Sequence, residues 1–393
     1  SEKRPKATAG DDGSESPEKK TPRRGHGPRN QPNLPIDVQV HPVPEDQHTC
    51  SFCGKQMVRM GDQVEESEEI TVVGVEYKLV VHQREKMRCS CNAQIVTAPG
   101  PDKLIPGGRY SIEFAAHVAE GKYLDHLPLE RQVRTMERWG LIIDSQTLWD
   151  QIEALARHLA PTYEALVEGA LAAELVYMDE TRWQLMGRKG GSSRWWTWCV
   201  ASEDTAAYRI LKSRSKDAAK SVLDGYSGLV MTDGYGAYEA LSRDGPDIKL
   251  AHCWAHVRRK FIAAEDAYPD LSARAVDLIG KLFEVERELP RLTADMPDDE
   301  RADVLELRRR VREERSRPIV DELLSWVLEI RGSVMPRSKM GKAIAYMLKL
   351  WHGLTLFLDD PRVPLDNNAA ERALRGVVVG RKNHYGSRSK RGT

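Results

Sequence analysis

The sequence predicts a mixed α/β domain carrying a large helical insertion, preceded by a small cysteine-bearing module and a helical domain. Three observations support this. Apolar strand runs begin at Glu174 and are followed by runs that alternate with helices; two of them carry or end in an aspartate. A third acid, Glu371, stands on an Ala/Leu-rich helical run 138 residues after the second aspartate. Four of the six cysteines form two close pairs far upstream of all of these.

With 393 residues and 40% hydrophobic content, the chain is long enough for two or three domains and at least one substantial core. Its formal net charge is 0, but the average hides a segregation: from Arg372 to Thr393 there are seven Lys or Arg and no Asp or Glu. Paired rather than dispersed cysteines point to a reducing compartment, and no apolar run approaches the roughly 18 residues of a spanning helix. A cytoplasmic protein is expected, without a membrane partner. The start without Met and the abrupt end at Thr393 suggest a processed or trimmed chain.

Residues 1–40 are rich in Pro, Gly, Lys, Glu and Arg and read as a disordered linker, because they offer too little apolar surface to offset the entropy of ordering. Residues 41–100 hold Cys50-Ser-Phe-Cys53-Gly54 and Cys89-Ser-Cys91 around a segment of strand character, Ile70 to Val81. Two thiolate pairs across a hairpin-like segment suit a closed tetrahedral Zn²⁺ site, a zinc-ribbon-like module in which the metal replaces a core. Cys50, Cys53, Cys89 and Cys91 are the expected ligands, with His48 and His82 in reserve.

Residues 101–173 turn helical. Ser111 can cap one helix, Pro128 to Trp139 form a second, and Ser145 to His158 a third that continues past Pro161. Leu141-Ile-Ile-Asp-Ser145 resembles the turn of a helix-turn-helix, so this domain reads either as a DNA reader or as a packing platform.

Residues 174–393 carry the acids. Leu175 to Leu185, Ser193 to Ala201 and Ala207 to Leu211 read as three antiparallel strands, Lys216 to Gly225 as a helix, Gly228 to Thr232 and Asp247 to Ala255 as further strands. This is the order of an α/β ribonuclease-H-like catalytic domain, with a helical insertion over about 262–358 that Pro318 should kink or divide. Gly341 to Leu358 reads as one apolar helix, and Arg308, Arg309, Arg310 and Arg312 as a solvated helix face or a DNA contact.

Carboxylates in apolar strands are costly unless a cation binds them. Two Mg²⁺ (or Mn²⁺) ions about 3.5–4 Å apart can activate a nucleophile and stabilise a leaving oxygen at a phosphodiester, and three acids suffice to hold them. Asp179, Asp233 and Glu371 are therefore the candidate catalytic and magnesium-binding residues. Arg258, Arg259 and Lys260 on a basic helix, and Arg372, Arg375, Arg381 and Lys382 around Glu371, are candidate phosphate contacts, with Asn367 one turn upstream as a further substrate or supporting contact. His252 or His256 is expected to face the site while Cys253 and Trp254 pack inward.

The segments Met178-Asp-Glu-Thr-Arg-Trp183, Thr232-Asp-Gly-Tyr-Gly-Ala-Tyr238, His252-Cys-Trp-Ala-His-Val-Arg-Arg-Lys-Phe261 and Asp366-Asn-Asn-Ala-Ala-Glu-Arg-Ala-Leu-Arg375 with Gly380-Arg-Lys-Asn383 resemble the transposases of the IS66 family, a DDE-type group. The resemblance covers the chain from about residue 40 and includes the family's N-terminal zinc-binding module. It implies a bacterial, nucleoid-associated enzyme that cuts double-stranded DNA at terminal inverted repeats and joins the freed 3′-hydroxyls to target DNA. A homo-oligomer is expected because two ends must be paired, and accessory element-encoded proteins could take part. A nuclease of the same fold, or a catalytically silent DNA-binding regulator, are the alternatives.

Overall fold

The computed structural model describes residues 77–83, 86–88, 95–97, 99–186, 192–244, 247–384, 386, 387 and 389. The chain divides into two compact units, Ser1–Val73 and Gly74–Thr393. The first lies outside the described residues, and with it the expected linker, Cys50, Cys53 and His48. Cys89 and Cys91 also lie outside them, between the short antiparallel strands β1 (Lys86–Arg88) and β2 (Ile95–Thr97). His82 belongs to an exposed, irregular segment.

Helices α1 (Ile112–Tyr123), α2 (Leu129–Arg138) and α3 (Ser145–His158) pack around Val118, Met136, Leu148 and Ile152. Their starts follow from capping chemistry: Ser111 accepts the Phe114 N–H, and Asp144 accepts the Thr147 N–H at 2.7 Å. Buried Gln132 donates to the carbonyls of Val118 and Leu127, closing the α1–α2 corner. Helix α4 (Ala160–Leu171) continues almost directly from α3, with Pro161 in its first turn, where the missing N–H costs nothing.

The central sheet has the order β5-β4-β3-β6-β7. Strands β3 (Leu175–Met186), β4 (Ser192–Ala201) and β5 (Ala206–Leu211) form an antiparallel meander. After α5 (Lys216–Val222), strand β6 (Gly228–Thr232) enters parallel to β3, and α6 (Gly236–Asp244) returns the chain to β7 (Ile248–His252), parallel to β6. Alternation along β3 divides the layers. Val176 and Met178 join Trp198, Val200 and Val230 under α4, α5 and α6. Leu175 faces the other way with Leu229, Met231 and Ala251, toward the helical insertion.

That insertion begins from α7 (Trp254–Ile262) and comprises α8 (Pro269–Glu288), α9 (Asp298–Val311), α10 (Arg317–Ile330), α11 (Lys339–Lys349) and α12 (Trp351–Asp359), with α13 (Asn368–His384) completing this layer. The expected break at Pro318 is a single π turn, Arg312–Ser316, which lets the helical run continue with the proline at the start of α10. The expected single helix from Gly341 to Leu358 is two. Leu350 separates α11, which lies on α7, from α12, which lies on β7, where Gly353 sits so close that a Cβ would stand 2.4 Å from the His252 ring.

Arg308 and Arg312 correct the expectation of a solvated or DNA-facing arginine row. Arg312 is 0% exposed and makes a two-pronged pair with Glu286 at 2.7 and 2.9 Å, and it donates to the Phe357 carbonyl at 2.8 Å. Arg308 donates to Glu286 and to the carbonyls of Pro290 and Pro361. Arg309, paired with Glu306, stays outside. Two arginines of the row thus anchor the insertion to the segment that leads into α13.

Candidate active site

Asp179 lies on β3 opposite Cys199 of β4, on the sheet face covered by α13. One carboxylate oxygen accepts the Glu180 N–H at 2.8 Å. Burial pushes its pKa from the ordinary value near 3.8 up to about 7, against the help of that N–H, and the charges of Glu180, Asp233 and Glu371 push it further in the same direction. Asp179 therefore senses both of the other candidate acids.

Asp233 immediately follows β6. The parallel register ends at the pair Tyr177 and Met231, so two residues further on each strand Asp179 and Asp233 stand level on neighbouring strands. The backbone turns at once: Asp233 accepts the Tyr235 N–H at 2.9 Å, and Gly234 adopts φ +79 with Leu350 occupying the space a Cβ would need. Tyr346 of α11 donates its hydroxyl to the Asp233 carbonyl at 2.5 Å. Behind the turn, buried His252 places Nδ1 3.3 Å from the Thr232 hydroxyl and Nε2 3.2 Å from Glu239. His252 thus supports the Asp233 turn from within the fold, while Cys253 and Trp254 are buried as the sequence suggested.

Glu371 reaches the same face because α13 is tied down at its start. Asp366 accepts the Asn368 N–H at 3.1 Å, and the Asn367 carbonyl accepts the Glu371 N–H. Asn367 is 0% exposed; its amide donates to the Met178 carbonyl at 2.8 Å, and its backbone N–H points at the Cys253 sulfur. It therefore cannot touch DNA in this conformation. It fastens the helix bearing Glu371 to the strand bearing Asp179, one residue before that acid. Replacing Asn367 with Ala should cost about 1–3 kcal/mol by stranding a buried carbonyl, which urea unfolding will measure.

His256 lies beside Glu371, with Nε2 3.5 Å from Glu371 Oε1. Burial lowers the His256 pKa, Arg259 adds to that, and Glu371 opposes it. Its Nδ1 is buried and has no hydrogen-bond partner among the described residues. Arg259 is exposed and lies 3.8 Å from the same Glu371 oxygen. Arg258 is partly buried, and exposed Lys260 places its ammonium 5.4 Å from the Tyr346 ring centre.

Arg372, Arg375 and Lys382 are exposed along α13. Arg381 instead bonds the Thr181 hydroxyl and the Arg182 carbonyl, so it clamps α13 onto β3. Sequence reasoning missed Glu180, which points to the opposite face from Asp179. It is 8% exposed, accepts the Tyr238 hydroxyl at 2.5 Å and pairs with Arg214, whose guanidinium stacks 3.6 Å from the Tyr235 ring centre. The signal was present: an acid at an even position of a strand whose even positions, Val176 and Met178, are apolar must find a buried partner.

Among the described residues, no three His, Cys, Asp or Glu side chains stand as a preformed metal cluster. Each candidate acid has an oxygen engaged or closely approached locally: Asp179 by the Glu180 N–H, Asp233 by the Tyr235 N–H, and Glu371 by His256 and Arg259. Carboxylate oxygens such as these are the hard donors that a divalent cation like Mg²⁺ takes.

Comparison with known proteins agrees with the sequence resemblance. Residues 107–393 match the Transposase IS66 family. The chain is similar to three uncharacterized proteins of Sinorhizobium fredii. It is 29% identical to y4jD over 88% of this chain and 68% of that protein, and 30% identical to y4hP over 91% and 67%. It is also 30% identical to y4qI over 88% of this chain and 65% of that protein. The chain thus spans about two thirds of the length of these relatives. No solved structure matches it. Among the described residues no helix is long and apolar enough to cross a membrane. The chain belongs to the IS66 transposase family.

Proposed function

We propose that this transposase has a ribonuclease-H-like catalytic domain in which Asp179, Asp233 and Glu371 hold divalent cations and direct phosphodiester hydrolysis at element ends, followed by 3′-hydroxyl strand transfer into target DNA. The observation that carries the reading is the register that sets Asp179 and Asp233 level on neighbouring parallel strands, with the helix that bears Glu371 fastened to β3 through Asn367. Burial and the charges of Asp233 and Glu371 raise the Asp179 pKa, and a bound cation would relieve that cost. When bound, Mg²⁺ would supply Lewis-acid stabilisation of the charge that develops at the phosphate.

The chain's own groups then have separable roles. Asn367 and Arg381 set the position of α13 against β3, and the Tyr346 hydroxyl and the Thr232–His252–Glu239 chain fix the Asp233 turn. His256, whose pKa is lowered by burial, can accept or donate a hydrogen bond beside Glu371. Arg259, Arg372, Arg375 and Lys382 offer exposed charge to a DNA backbone.

The test incubates the chain with Mg²⁺ and duplexes carrying the element's own ends, and resolves the products on denaturing gels. Nicked ends and 3′-joined products should form with the wild type and disappear in Asp233→Asn and Glu371→Gln. Cleavage without joining would make the chain a nuclease, and activity retained in either variant would remove that residue from the assignment.

A further inference from the structure

On the sheet face that carries Asp179, the β3–β4 hairpin continues past the acid as a row of side chains from three strands. Trp183 of β3 pairs with Trp195 of β4; Leu211, at the end of β5, pairs with Trp196, so Lys212 follows level with Trp195. Its ammonium lies 5.8 Å from the Trp195 ring centre. The two indoles are not equivalent. Trp183 is engaged from above, donating to the Ser387 hydroxyl at 2.8 Å and meeting the His384 ring edge-on. Trp195 stays partly exposed, its N–H turned to the nearby Ser193 hydroxyl at 3.2 Å, and among the described residues it packs against none of the buried cores.

Exposed Lys212 is a cation that shares this indole's face, whereas Arg182 and Arg194, at even positions of β3 and β4, are exposed on the opposite face, where Arg182 lies against Trp196. Tracking a duplex backbone requires cations but no indole. An accessible aromatic face beside a cation is what holds an unpaired base, by stacking plus attraction for the adjoining phosphate. The location fits as well. Trp183, level with Trp195, lies four residues along β3 from Asp179, or ~13 Å at ~3.3 Å per residue, the span of about four stacked nucleotides.

We propose that Trp195, flanked by Lys212, is a stacking platform for an unpaired base of the DNA strand whose reacting phosphate lies at Asp179. The placement near the reacting phosphate rests on the catalytic reading above; the affinity for unpaired bases does not. The experiment therefore measures binding by the full chain, in EDTA, to a fluorescent short oligothymidylate and to a duplex of equal length. Trp195→Ala should weaken oligothymidylate binding about tenfold while changing duplex binding by less than about twofold, and Trp195→Phe should recover most of the loss. Thermal melts of each variant report folding, and Lys212→Gln provides a second variant away from the ring, expected to weaken oligothymidylate in the same direction.

Equal oligothymidylate affinity in wild type and Trp195→Ala overturns the platform, as does an equal loss on both DNAs. Cleavage is scored separately. A chain that cleaves its ends but lacks Trp195 dependence loses the platform alone. A chain whose oligothymidylate binding depends on Trp195 but whose carboxylate variants still cleave loses the catalytic assignment alone.

Discussion

Asp179→Asn is expected to abolish end cleavage, by at least on the order of 10³-fold, and at the same time to make the metal-free protein more stable near neutral pH. The first effect follows from removing a charged oxygen ligand; the second follows from linkage. The Asp179 pKa is raised to about 7 in the folded chain from an ordinary value near 3.8, so between those values the folded state holds a proton that the unfolded state releases. The unfolded chain then binds fewer protons than the folded one, and stability falls as pH rises through that window. Above about pH 7 the folded state carries the full penalty of a buried, repelled carboxylate, of about 2–4 kcal/mol. Asparagine keeps the oxygen that accepts the Glu180 N–H and removes the charge. Urea unfolding in EDTA should therefore show a gain in stability near pH 8 that vanishes near pH 4, where Asp179 is protonated in the wild type. An unchanged or lower stability near pH 8 would show that the carboxylate is a structural group with a partner of its own. Binding of Mg²⁺ should likewise release a proton from Asp179 below about pH 7, which titration calorimetry in two buffers will detect.

Much of the fold was legible in the sequence because the signals were local. Apolar strand runs marked β3 and β4, glycines marked the turn after Asp233, and Ser111 marked the start of α1. The acids could be chosen because a carboxylate in an apolar strand has few stable alternatives to cation binding. Side-chain direction across layers was not legible. Arg381 read as a DNA contact and Asn367 as a substrate or supporting contact by their closeness to Glu371, yet Asn367 is buried against Met178 and Arg381 is spent on β3. Nothing in a four-residue helical spacing says which neighbour lies over the helix start. The same holds for His252 and His256, four residues apart, of which one supports the Asp233 turn and the other meets Glu371. Arg308 and Arg312 were hidden for a further reason: their partner, Glu286, lies more than 20 residues upstream on another helix, whereas Glu306 and Glu313 beside them offered a simpler local explanation.

Glu286→Ala should lower stability by about 3–5 kcal/mol, because it leaves Arg312, wholly buried, and Arg308, nearly so, without the carboxylate that both are paired with. Neither arginine can swing out without abandoning the carbonyls of Pro290, Phe357 and Pro361. Urea unfolding gives the magnitude, and the triple variant Glu286→Leu with Arg308→Met and Arg312→Met shows whether the loss is one of charge. With the carboxylate and both of its arginines replaced by apolar groups, most of the deficit should return; no recovery would mean that packing and the lost carbonyl contacts, not an unpaired cation, set the cost. The carbonyls that Arg312 and Arg308 hold belong to the end of α12 and the turn that follows it, the segment that delivers Asp366, Asn367 and then Glu371. Glu286→Ala should therefore also reduce end cleavage under conditions where the chain remains folded, with Asp179 untouched. The insertion that separates Glu371 from Asp233 in sequence is, by this charge cluster, what fixes the place where Glu371's helix begins.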